Sequence, residues 1–234
     1  MTIKLITFDL DHTLWDPDAA IQRGEIASHR WLSEKIPAFA DQFPPQAFID
    51  FRLHLWNAAP EHKHRVSEIR RMAFRRALQQ TGLPDREAHT LAEEAFQVFW
   101  RARQEVDVFP DSYPLLQTLS RNYTLGAISN GNACLKTIGL AHHFAFHFAA
   151  ENFAAAKPEP ELFLAALEKA GVAANEALHI GDHPVDDIKG AKNVGMQTLW
   201  VNLHDKPWNP DLEQPDFEVK NLDQILVLLE TTHQ

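Results

Sequence analysis

The sequence predicts an α/β protein: a doubly wound, parallel-sheet (Rossmann-like) core with a helical domain inserted after its first strand. Three observations predict it. Short apolar runs at 3–8, 124–128, 177–180 and 197–201 lack polar alternation and end in small polar or acidic residues, the pattern of parallel strands covered on both faces. Helical stripes separate the later runs, as strand-helix-strand units require. Between the first and second runs, 15–105 carries helical patterns and no convincing strand.

The first run, Ile3 to Phe8, leads straight into Asp9. Helical patterns then cover 19–35, 45–56, 67–80 and 86–103, with breaks at Pro37, Phe43-Pro44-Pro45, Ala59-Pro60 and Gly82-Leu83-Pro84. This is more helix than a crossover connection uses, so it reads as a separate subdomain over the carboxyl edge of the sheet. The core is accordingly assigned to 1–14 and 106–234, the helical domain to 15–105, and the hinges to 14–18 and 105–111. Beyond the second run, Pro160 to Ala170 places Leu162, Phe163, Ala166, Leu167 and Ala170 on one stripe and stops at Gly171. Val185 to Val194 reads as a shorter helix closed by Gly195, and Leu222, Ile225, Leu226 and Leu229 repeat at helical spacing.

Composition narrows the function classes. The 234 residues are 45% hydrophobic and 23% charged, as in ordinary globular proteins. A net charge of -10 argues against a nucleic-acid partner. Arg65, Arg70, Arg71, Arg75 and Arg76 gather at helical spacing around Glu68 and read as a solvated face. The single cysteine, Cys134, excludes an internal disulfide. With no signal-peptide pattern and no apolar stretch of membrane-spanning length, the expectation is a cytoplasmic protein with no membrane partner. The pairs His62/His64 and His143/His147 come without a third ligand at zinc spacing. The sequence is silent on oligomeric state.

In open α/β sheets ligands bind beyond the carboxyl ends of the strands, and that is where this sequence keeps its reactive residues. Asp9 and Asp11 stand two apart at a strand end and point the same way. Two carboxylates so close call for a counter-charge or a shared proton, and magnesium, an oxygen-seeking cation, meets that need. The alternative is a strand end running into an ordinary loop. After the second run, Ser129-Asn130-Gly131 offers a hydroxyl, an amide and exposed backbone N–H groups to a phosphate, or simply caps a turn. Lys157, between Ala156 and Pro158, is a cation ahead of the helix from Pro160, or an exposed surface lysine. Asp182 ends the third run, and Asp186 and Asp187 follow where acidic residues also suit a helix start. Trp15, close behind the first strand, fits either the core or an aromatic platform at the mouth of the site.

Taken in order, these four segments resemble the four motifs of the haloacid dehalogenase-like hydrolase superfamily. Asp9, Asp11 and Thr13 meet its DxDx[T/V] pattern, Ser129 its second motif, Lys157 its third, and Asp182 with Asp187 its GDxxxxD form. The insert is similar to that family's helical cap. The ITFDLD opening and the Ser-Asn-Gly-Asn-Ala turn resemble the bacterial flavin mononucleotide and riboflavin-pathway phosphatases. The resemblance implies a phosphatase for a small phosphorylated metabolite. In it Asp9 is the nucleophile, Asp11 the general acid and base, and Ser129 and Lys157 the phosphate-binding pair. Asn130 and Gly131 also touch the phosphate, Mg2+ is held by Asp9, Asp11 and Asp182, and Thr13, Asp186 and Asp187 lie behind them. Asp11 also favours ester hydrolysis over dehalogenation, since a departing halide needs no proton. A mutase and a catalytically silent metabolite binder share the fold. A phosphonatase would need a cap lysine, for which Lys35 and Lys63 are the candidates. Arg71 or Arg75 is expected to meet the leaving group.

Overall fold

The computed structural model describes residues 2–58, 64–153 and 155–232. The Ala59-Pro60 break, His62 and Lys63 lie outside the described residues. The chain divides into two compact units, 1–16 with 107–234 and 17–106.

The first unit is a parallel α/β core. Its strands are β1 (Leu5–Phe8), a short β2 (Trp15–Asp16), a short β3 (Asp107–Val108), β4 (Thr124–Ser129), β5 (Phe146–Ala149), β6 (Ala177–Gly181), β7 (Gln197–Val201) and β8 (Phe217–Val219). Six of them form one sheet in the order β5-β4-β1-β6-β7-β8, every pairing parallel. The order turns around β1: the chain runs outward to β4 and β5 on one side, then returns to β6, β7 and β8 on the other. Such a reversal opens a crevice at the carboxyl ends, here those of β1, β4 and β6. All four residues of β1 are buried, as are the last five of β4 and all of β6, which is why these runs carry no polar alternation.

Helices flank the sheet, and Leu162, Phe163, Ala166 and Leu167 of the helix at Glu161–Ala170 pack with Leu5, Ile128 and Ala177. Three elements of the sheet edge and its flank, β5, β8 and the helix at Ser112–Leu119, have no counterpart in the sequence pattern. The expected helix at 185–194 is instead a π-helical turn, Pro184–Lys189, followed by a four-residue α-helix, Gly190–Asn193.

The second unit is helical: α1 (Asp18–Lys35), α2 (Pro37–Gln42), α3 (Pro45–Ala58), α4 (Val66–Gln80) and α5 (Asp85–Arg103). Pro37 starts a short helix rather than only breaking one, as its place at the first helical position allows. An aromatic cluster of Phe39, Phe43, Phe48 and Phe74 fills its core, with Phe48 and Phe74 stacked at 4.9 Å between centroids. The unit begins at Pro17 rather than at 15 because Trp15 and Asp16 pair antiparallel with Val108 and Asp107 in the core. Among the described residues no helix is long and apolar enough to cross a membrane.

Candidate active site

The centre of the site is an ion-pair relay at the ends of β1 and β6. Asp9 follows β1, and its backbone N–H donates to Ile180 O at 2.8 Å, which continues the ladder one residue past the strand. Lys157 Nζ donates to Asp9 Oδ1 at 2.5 Å and to Asp187 Oδ1 at 2.6 Å. All three residues are buried. Burial alone would lower the Lys157 ammonium, but the Asp187 and Asp9 carboxylates outweigh it and hold the group well above its usual range. Lys157 is therefore a permanent cation, not an exposed surface lysine.

Position is given to that lysine by Asn130. Its side-chain Oδ1 accepts from Lys157 N at 2.8 Å and its Nδ2 donates to Lys157 O at 2.9 Å. The side-chain amide is thus engaged with backbone, and Nδ2 also reaches Asp186 Oδ2 at 3.3 Å. Ser129 is buried at the end of β4, and its Oγ accepts from the Gly131 N–H at 3.0 Å.

Asp187 is held from three sides. Besides Lys157, the His183 N–H donates to its Oδ2 at 2.9 Å, and His179 Nε2 lies 3.1 Å from its Oδ1. His179 Nδ1 in turn sits 2.8 Å from Thr7 Oγ1, its register partner across β1 and β6. The carboxylate only accepts, so His179 Nε2 carries the proton and Nδ1 accepts from the threonine hydroxyl. Burial lowers the imidazole, against the pull of Asp187, and keeps it neutral. Burial would also raise Asp187, but Lys157 and His179 hold it well below the usual carboxylate range. Gly181 makes room for this group: a Cβ there would lie 2.3 Å from Asp187 Cγ.

Asp182 is half-buried, and its carbonyl accepts from Trp200 Nε1 at 2.8 Å. Burial, with Asp187 adding to it, pushes the Asp182 carboxyl up to about 6. Burial likewise raises Asp9 well above the usual carboxylate value, helped by Asp187 and Asp182 and opposed by Lys157. Carboxylate oxygens of Asp9, Asp182 and Asp187 all lie within 4.8 Å of one another. Three carboxylates around one ammonium leave an excess of negative charge, which adds to burial in raising Asp9 and Asp182. This oxygen-only donor set fits a hard divalent cation such as magnesium.

Asp11 occupies a tight turn after β1. His12 takes a left-handed conformation (φ 61°), and His12 N donates to Trp15 O at 2.7 Å. The turn brings the Trp15 indole back, and its Nε1 donates to Asp11 Oδ1 at 2.7 Å. Trp15 is fully buried, so it orients a carboxylate and is closed to a stacked ligand. Thr13 is buried, with no partner for its Oγ1 among the described residues.

A family model for haloacid dehalogenase-like hydrolases matches residues 3–195. The chain belongs to that family. As a member it is similar to the 5-amino-6-(5-phospho-D-ribitylamino)uracil phosphatase YigB of Escherichia coli (strain K12), 32% identical over 97% of this chain and 96% of that one. The crystal structure of a 2-haloacid dehalogenase from Pseudomonas syringae pv. Tomato DC3000 superposes with a TM-score of 0.92 at 43% identity, covering 99% of this chain and 100% of that one. The putative HAD-hydrolase YfnB of Bacillus subtilis, solved bound to magnesium, gives a TM-score of 0.68 at 26% identity over 98% and 99% of the two chains.

His179, Trp15 as a positioning group and Trp200 extend this hydrolase's site beyond the motif residues. The sequence carries one signal for the first: His179 stands alone as a polar residue in the apolar run Ala177 to Ile180. In the helical unit, Arg71 Nε donates to Glu93 Oε2 at 2.9 Å, and Arg75 forks onto Asp85 at 2.6 to 2.9 Å. Both are engaged in part-exposed ion pairs. Lys35 lies 4.6 Å over the Trp31 ring.

Proposed function

We propose that this hydrolase is a magnesium-dependent phosphatase for small phosphate monoesters, with Asp9 as nucleophile. The observation that carries the reading is the pairing of Asp9 with a second, separately held carboxylate, Asp11, which Trp15 fixes at 2.7 Å. A phosphatase needs that second group as an acid; displacement of halide does not.

In this reading an Asp9 oxygen attacks phosphorus, the ester P–O bond breaks, and Asp11 gives its proton to the departing alkoxide. Water then attacks the aspartyl phosphate, Asp11 takes a proton from it, and inorganic phosphate leaves with Asp9 restored. Lys157 fixes the nucleophile's orientation and, with Ser129, neutralises the phosphoryl oxygens, the principal demand of this reaction. Asp9 and Asp182, with the Asp11 carbonyl, would hold Mg2+, which offsets repulsion between the nucleophile and an anionic substrate. Asp187 and His179 keep Lys157 in place from behind. The phosphatase reported above, matched over nearly the full length of both chains, acts, by its name, on a 5-amino-6-(5-phospho-D-ribitylamino)uracil, so phosphates of that kind head the substrate panel.

The likeness to a structure described as a 2-haloacid dehalogenase supports a second reading, halide displacement by the same Asp9. One panel separates them: flavin mononucleotide, ribitylamino-pyrimidine phosphate, nucleotides, sugar phosphates and 2-chloropropionate, each with magnesium or chelator. Phosphate release lost in Asp9→Asn and in Asp11→Asn supports the phosphatase. Chloride release that survives Asp11→Asn and chelation replaces it with the dehalogenase. No turnover of any compound by folded protein would favour a silent binder or a mutase.

A further inference from the structure

Within the helical unit, α1, α3 and α4 enclose a cavity of about 500 Å³, in the size range of small-molecule sites. Its walls include Ile26, Pro45, Phe48 and Ile49. Into these apolar surroundings project Arg52 from α3 and Arg70 from α4, with the carboxylate of Glu25 from α1 between them.

The pairing there is incomplete. Both guanidinium groups converge on one oxygen: Arg52 Nη2 donates to Glu25 Oε1 at 2.8 Å, whereas Arg70 Nη1 and Nη2 come only to 3.5 Å. That is the outer limit of a hydrogen bond. Arg70's side chain is 10% exposed, and its guanidinium carbon lies 3.5 Å from the Phe99 ring centroid. One flat face is therefore covered by the ring and the donor edge is what remains for a partner. Arg52 Nε is also buried, with no hydrogen-bond partner among the described residues. Burial, with Arg52 adding to it and Glu25 opposing, lowers Arg70 to about 9, so it stays charged at neutral pH. Two cations thus face one anion in a largely apolar chamber, a combination that is unfavourable unless something completes the pairing.

We infer that the helical unit holds a binding site for a small organic anion, its carboxylate or phosphate on Arg52 and Arg70 and its apolar body against Ile26, Phe48 and Ile49. The inference is independent of the phosphatase reading, because binding there involves none of the catalytic residues. The anion is a free small molecule, recognised through its carboxylate or phosphate by the two guanidinium groups.

The test is calorimetric titration of the full chain with benzoate and with phenylphosphonate, neither of them a phosphate ester, and with benzamide as the neutral control. Saturable binding of an anion, none of benzamide, and at least ten-fold weaker binding in Arg70→Met are expected. Ile26→Trp should weaken it equally: Ile26 is 61% exposed, so a bulky side chain blocks the chamber without disturbing the charges or the core. No saturable binding by folded wild-type protein, binding of benzamide as tight as benzoate, or undiminished binding in both variants overturns the site.

Discussion

Replacing Gly181 with alanine tests how tightly the ion-pair relay is built. The new Cβ would lie 2.3 Å from Asp187 Cγ and 2.4 Å from its Oδ2. Ordinary carbon contacts begin at about 3.5 Å, so the carboxylate must retreat by about 1.2 Å. Its bonds to Lys157 at 2.6 Å and to the His183 N–H at 2.9 Å cannot both survive that shift. Charge-assisted hydrogen bonds contribute about 1.5–3 kcal/mol each, and breaking a buried pair costs about 3–5 kcal/mol, so the substitution should cost about 3–5 kcal/mol. In urea, with a slope of about 2 kcal/mol/M, the unfolding midpoint should fall by roughly 1.5–2.5 M. Asp187→Gly removes the obstacle, including the Asp187 Cβ at 2.6 Å, along with the carboxylate. In that background Gly181→Ala should therefore cost under about 1 kcal/mol, a strongly non-additive cycle. A wild-type midpoint for Gly181→Ala, or simple additivity of the two substitutions, would refute the argument.

Trp15→Phe keeps a ring in the core but deletes the N–H that holds Asp11; kcat on the best phosphate ester should drop by about 10- to 100-fold with KM little changed, as steady-state kinetics on variant shown to be folded will reveal. Magnesium at about 100 times its Kd should stabilise the protein by about 2.7 kcal/mol, and Asp182→Asn should lose most of that rise, read from unfolding midpoints with and without the ion. His147, on β5, has a buried Nε2 without a partner among the described residues, and burial lowers its pKa. The unfolded chain then takes up a proton near pH 6.5 before the folded one does. Stability from this group is present above that pH and lost as pH falls through it, so the gap between wild type and His147→Gln should shift in favour of the variant from pH 7 to 5. A gap that is constant across that range would show that His147 titrates normally.

The four central strands and the four long helices were legible because each carries one strong period: β1, β4 and β6 are continuous apolar runs, and α5 holds Ala88, Ala92, Ala95, Phe96 and Phe99 on its buried stripe. The edge strands were not. Phe146–Ala149 is only half-buried and has the mixed run Phe-His-Phe-Ala, while Phe217–Val219 is three residues long. Pro184–Lys189 reads as ordinary helix in sequence, but the π turn is set by what Asp187 must reach, which no local period encodes. At the site, the identities of Asp9, Asp11, Ser129, Lys157, Asp182 and Asp187 could be read from strand ends. Their supports could not: Asn130 meets Lys157 across 27 residues and Thr7 meets His179 across 172. Arg70 shows the same limit from the other side. Its sequence neighbours place it on a solvated face, yet it is buried over Phe99.

The ribbon of Trp15–Asp16 against Asp107–Val108 has a consequence for how such a chain can change. Adjacent strands bring their Cα atoms to about 4.5–5.5 Å, so the polypeptide leaves the core and re-enters it at neighbouring points. To the sheet, the whole helical insert is no more demanding than a hairpin loop. Its length, its helices and its cavity can drift, be exchanged or be rebuilt while the relay of Asp9, Lys157 and Asp187, all outside the ribbon, keeps its register. One catalytic chassis can thereby be refitted for new molecules by editing a segment that the chemistry never has to notice.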